Sequence, residues 1–113
     1  MPERTDKRQP ETAELRRLRR RIDVLDRRIV GLLNERARVA REAGRVKADA
    51  GRTAVRDAER EREILLRVSM SNEGPMPQAD LLALYRRLFA ATRRLEARDR
   101  RRNREGSDDP TGP

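Results

Sequence analysis

The chain has 113 residues, 35% hydrophobic and 43% charged, with a net charge of +9. It holds one Tyr, one Phe and no Trp, His or Cys, which excludes disulfides, thiol chemistry, and the commonest general base and metal ligand. No stretch approaches the ~20 apolar residues of a membrane span, and "MPERTDKRQP" lacks the apolar segment of a signal peptide, so a single soluble, cytoplasmic domain with no membrane partner is expected.

The first segment with a pattern is long. Leu15, Leu18, Ile22, Leu25, Ile29, Leu32, Arg36, Val39, Ala43 and Val46 alternate steps of three and four, a heptad seam that Arg36 alone interrupts with a charge. Thr12 is placed to cap this helix and Gly51 to stop it, which predicts a helix from about residue 13 to 49. At ~1.5 Å per residue it would run roughly 55 Å, against a radius of gyration of about 13 Å for a compact chain of this size. One chain cannot wrap such a helix, so a second copy is expected to share its core.

A second helix is expected from Val55–Asp57 to about Met70, with Asp57 as its N-cap. "SNEGPMP" then breaks the chain. A third is expected from about Gln78 to Arg101, where Leu81, Leu84, Tyr85, Leu88, Thr92 and Leu95 recur at helical spacing. Alternating strand patterns are missing. The expected fold is all-α, with three helices per chain, one long and two shorter, in an intertwined homodimer. Residues 1–13 and 101–113 read as flexible polar tails flanking a helical domain over 14–100.

Each helix carries polar groups on the face meant for the core. Arg36 sits in the seam, and Lys47 lies three turns further along nearly the same face. Either cation can snorkel to water or meet a buried anion. Lys47 is informative because only Lys7 and Lys47 among 29 basic residues are lysines. In "AVRDAERERE", projecting back from Ile64, Leu65 and Val68 brings Asp57, Arg60 and Glu61 onto the apolar stripe. Glu59, Arg62, Glu63 and Arg67, with Arg56, fall on a solvated face with i,i+4 pairs. In the third helix Thr92 and Glu96 extend the stripe of Leu81, Tyr85 and Leu88. A capping Asp, an internal Arg–Glu pair and a helix end leaving the core would account for these groups. So would a pocket for a small dianion, since Arg forks match carboxylates. A reaction that needs only electrostatic shaping fits the second reading.

Taken together, "LRRRIDVLDRRIVGLLNERARVAREAGRVK", "VRDAEREREIL" and "LYRRLFAATRRLE" make the chain resemble the all-helical class of chorismate mutase, type II, over roughly residues 14–97. The resemblance implies an intertwined dimer with two shared active sites. These would carry out the Claisen rearrangement of chorismate, a small dicarboxylate, to prephenate, with no cofactor and no metal. It further implies that Arg36, with Arg19 from the partner chain, grips the two carboxylates, and that Lys47 donates to the ether oxygen and a carboxylate. Asp57 through its backbone and Glu61 through its side chain would hold the ring hydroxyl, with Arg60 beside them.

In that family the third helix carries an aromatic, then Ser, then Gln. Tyr85, Thr92 and Glu96 fit this spacing; a rival register from Phe89 would put Glu96 and Arg100 at the last two positions. The first register keeps a hydroxyl for a hydroxyl and places Glu96 where Gln is usual. An ionised Glu only accepts, whereas a protonated one donates, so activity is expected to rise toward acid pH unless burial already keeps Glu96 protonated.

Two other readings stay open. A sister pericyclic enzyme, an isochorismate-pyruvate lyase or an amino-deoxychorismate mutase, would use the same clamps. A weak enzyme organised by an aromatic-pathway partner is a variant of the first reading. A basic coiled-coil dimer binding nucleic acid belongs to another class; the lack of stacking aromatics and the seam placement of the cations argue against it.

Overall fold

The computed structural model describes residues 10–52 and 56–107, and their regular structure is entirely helical. Helix α1 covers Ala13–Asp49, matching the expected span. Thr12 Oγ1 accepts from the Leu15 N–H at 3.1 Å and so satisfies one of the free donors of the first turn. At the other end Gly51 takes a positive φ of 83°. This lets its N–H reach the Ala48 carbonyl at 3.0 Å and the Arg52 N–H reach that of Lys47 at 2.9 Å. The pair of bonds is a Schellman stop, a geometry that a side chain at Gly51 would strain.

The chain divides into two units, Met1–Arg36 and Ala37–Pro113. In the first, the helix shows its apolar seam to solvent: Leu15, Leu18, Ile22, Leu25, Ile29 and Leu32 each keep 40–60% of their surface. The second unit contains the end of α1, helix α2 (Ala58–Ser71) and helix α3 (Gln78–Ser107). Asp57 caps α2 through Oδ1, which accepts from the Arg60 N–H at 3.0 Å. The expected start at Val55 lies outside the described residues.

Asn72 ends α2 and organises the turn that follows. Its N–H bonds the Val68 carbonyl at 3.1 Å. Its side-chain amide donates to the Met76 carbonyl at 3.1 Å and to Gln78 Oε1 at 3.2 Å. Its Oδ1 accepts from the Gly74 N–H at 3.0 Å. The turn folds α3 back onto α2. Ile64, Leu65 and Val68 are half-buried on one helix, and Leu81, Leu82, Tyr85 and Leu88 on the other. At the centre Phe89 is 5% exposed, its ring edge-on to Tyr85 with centroids 6.3 Å apart. Helix α3 continues to Ser107, past the end expected near Arg101. No helix among the described residues is long and apolar enough to cross a membrane.

Candidate active site

Among the described residues of the second unit one ionisable side chain is buried, Glu96, at 7% exposure. It can be so because α3 runs back along the last turns of α1 and meets that helix at Gly44. A Cβ at Gly44 would stand 3.1 Å from both Cγ and Cδ of Glu96 and 3.4 Å from Oε1. The missing side chain is therefore the space that the carboxyl fills. Glu96 Oε2 is buried and finds no hydrogen-bond partner among the described residues. Burial raises the Glu96 pKa above the ordinary carboxylate value; Lys47 and Arg100 pull it back down, and Asp99 pushes it up. A carboxyl placed this way favours its neutral form, which can donate a hydrogen bond.

One turn away, Arg41 of α1 forks onto Asp99 of α3, Nε to Oδ2 at 3.0 Å and Nη2 to Oδ1 at 2.8 Å. The fork holds Asp99 below the usual carboxylate range. Arg100 reaches across to donate to the Arg52 carbonyl at 3.2 Å. These groups border a cavity of about 490 Å³ whose walls include Gly44, Arg45, Glu96, Asp99 and Arg100. Lys47 is half-buried near the end of α1, and Thr92 is half-buried one turn before Glu96.

At the start of α2 the expected residues separate. Glu61 turns inward, its side chain 17% exposed, and accepts from Arg93 of α3 while Arg56 Nε stands 3.6 Å from its other oxygen. Asp57 is half-buried, its side chain committed to the cap. Arg60 does not join them: it is exposed and donates to Glu63 of its own helix at 2.8 Å. One residue is a 100° turn of the helix, enough to carry Arg60 to the edge of the stripe, where an i,i+3 carboxylate is the nearer partner. Glu63 also pairs with Arg67 at 3.0 Å, as expected of the solvated face. On the first unit Arg19 is exposed and paired with Glu11, and Arg36 is half-buried.

Sequence reasoning did not find Arg93, Arg41 or Asp99. Each acts through a partner on another helix, so no spacing within one helix announces it. Gly44 stood in the quoted motif, and its space-making role needs the neighbour to be seen.

The described residues thus form an all-helical protein with a long helix, a capped second helix carrying an inward carboxylate, and a third helix that buries a carboxyl against the end of the first. The chain belongs to the chorismate mutase type II family, which it matches over residues 18–97. It is similar to the chorismate mutase of Thermus thermophilus in its form II structure, with a TM-score of 0.71 and 34% identity over 75% of this chain and 96% of that one. The form I structure gives a TM-score of 0.66 at 33% identity, covering 70% and 98%.

Among relatives, the bifunctional chorismate mutase/prephenate dehydratase of Aquifex aeolicus is 39% identical over 87 residues, 74% of this chain and 24% of that protein. The enzyme of the same description from Stutzerimonas stutzeri is 37% identical over 90 residues, 76% of this chain and 25% of that one. The chain thus spans about a quarter of the length of these relatives.

Proposed function

We propose that the chain catalyses the rearrangement of chorismate to prephenate as a homodimer whose two sites each draw on both copies. The observation that carries this reading is the buried Glu96 carboxyl, held where the Lys47 charge acts on it, in a chain of this family. In the rearrangement the ether C–O bond breaks as a new C–C bond forms, and negative charge grows on the departing oxygen. The Lys47 ammonium and a protonated Glu96 are the two donors for that oxygen, acting by electrostatic preorganisation. Arg36 and the Arg19 of a second copy bind the two carboxylates. Glu61 accepts from the ring hydroxyl; as a carboxylate it keeps acceptor capacity beyond its bond to Arg93. Asp57 spends its side chain on the cap, so its backbone is what it offers the same hydroxyl.

The placement of Glu96 favours the register built on Tyr85. Phe89, on which the rival register depends, lies in the core against Tyr85, and Arg100 is drawn toward the Arg52 carbonyl. The dimer is supported by the apolar seam of α1, too wide and continuous to be left in water.

The test is the purified protein with chorismate, following loss of substrate and appearance of prephenate. Faster turnover of isochorismate or amino-deoxychorismate than of chorismate would overturn the substrate assignment. DNA binding with a steep salt slope and no turnover of any of the three would overturn the enzyme reading altogether.

A further inference from the structure

The contacts of Glu96 with α1 form consecutive rungs. Gly44 faces Glu96, and three residues back on α1 and three onward on α3, Arg41 faces Asp99. Equal and opposite steps are what two antiparallel helices require. The first rung has no side chain on one side. The second has a two-pronged ion pair, which fixes angle as well as distance. The charged groups acting on Glu96 are Lys47 on α1 and Asp99 and Arg100 on α3, with Arg41 of α1 forked onto Asp99 and Arg100 anchored to the connection after α1 at Arg52.

We infer that Gly44 and the Arg41–Asp99 pair form a seat for the Glu96 carboxyl, positioning residues that act on the reaction through Glu96 without touching the substrate. This rests on the reading of Glu96 as the donor to the ether oxygen. A glutamine needs only to be placed; a glutamate must be placed and also kept neutral. Gly44 brings the carboxyl against a helix backbone and out of water. The fork sets how deeply α3 lies on α1. It also fixes Asp99, whose charge pushes the Glu96 pKa up, beside the Arg41 cation that pairs with it.

The two halves of the fork therefore have opposite effects when removed singly. Asp99→Asn removes the carboxylate that pushes the Glu96 pKa up, favours ionised Glu96 and moves the alkaline limb of the kcat profile to lower pH. Arg41→Gln leaves the Asp99 carboxylate unopposed and moves that limb to higher pH. Gly44→Ala displaces the carboxyl itself by a few tenths of an ångström or more and lowers kcat by about 10- to 100-fold, with KM changed far less.

The experiment measures kcat and KM from pH 5 to 9 for Gly44→Ala, Arg41→Gln and Asp99→Asn, each alone and in a Glu96→Gln background, with thermal melts to confirm folding. Opposite shifts for the two fork variants, both lost in the Glu96→Gln background, are the expected result. Arg41 and Asp99 are partly exposed, so their variants test the idea even if Gly44→Ala does not fold. Unmoved profiles, shifts of the same sign, or shifts that persist without Glu96 would overturn the seat while leaving the donor reading intact. A Glu96→Gln enzyme whose own pH profile matches that of the native chain would overturn both.

Discussion

As the proposed donor, Glu96 has a single useful protonation state. Buried beside Gly44, it is raised above its ordinary value by desolvation, with Lys47 and Arg100 opposing. On the proposed reading, as pH rises through that raised value the donor becomes an acceptor facing an oxygen that is gaining charge. Turnover should therefore fall on the alkaline side. Glu96→Gln should flatten the profile, and Glu96→Ala should cost roughly 10²–10³ in kcat, as for loss of an oxyanion-hole donor. A profile between pH 5 and 8 that Glu96→Gln does not alter would refute this.

The same group predicts a stability effect of definite sign. A carboxyl whose folded pKa is raised holds its proton more tightly folded than unfolded, so the native state is favoured most below the unfolded value. That advantage is lost as pH rises through the folded value. Glu96→Gln should accordingly raise the melting temperature more at pH 8 than at pH 5, read by circular dichroism at both. The identity of Glu96 as a stripe residue was legible in its spacing from Tyr85 and Thr92. Its burial was not, because that depends on Gly44, far away in the chain and on another helix.

At the scale of the helices, the ends set by local chemistry are legible in the sequence. Thr12, Gly51 and Asp57 mark ends by their own side chains or lack of one, and each performs that function in the structure. The end of α3 is less legible because residues beyond Arg101 offer no apolar stripe. They nonetheless remain helical as far as Ser107, since Arg and Glu cost little in a helix and basic residues suit the last turn.

Asp57 provides the sharpest test of a helix end, because its cap and its site role separate. Asp57→Asn keeps an oxygen for the Arg60 N–H and should leave stability nearly unchanged. Asp57→Ala should cost about 0.5–2 kcal/mol, measured by urea unfolding. If its backbone alone serves the ligand, Asp57→Asn should also leave KM close to the native value. A KM raised tenfold or more by Asp57→Asn would assign the side chain to the substrate instead.

At the scale of the whole molecule, the seam that predicted a long helix also predicted a partner. Its leucines and isoleucines remain exposed on the first unit, and Val39 and Val46 on the second. The heptad spacing revealed that an apolar face existed; only the exposed areas reveal that the single chain leaves it uncovered. A symmetric pair that shares its sites has a signature no monomer can produce. Arg19→Ala and Arg36→Ala should each abolish activity, since each breaks both sites of its own homodimer. Mixing the two after denaturation and refolding should give hybrids in which one site receives both defects and the other receives none. With random pairing about half of the dimers are hybrids, and each carries one intact site, so about a quarter of native activity should return. If Arg19 served the site of its own chain, every site in every mixture would hold one defect and nothing would return. The recovered fraction thus decides whether the Arg19 side chain crosses from one copy to the other.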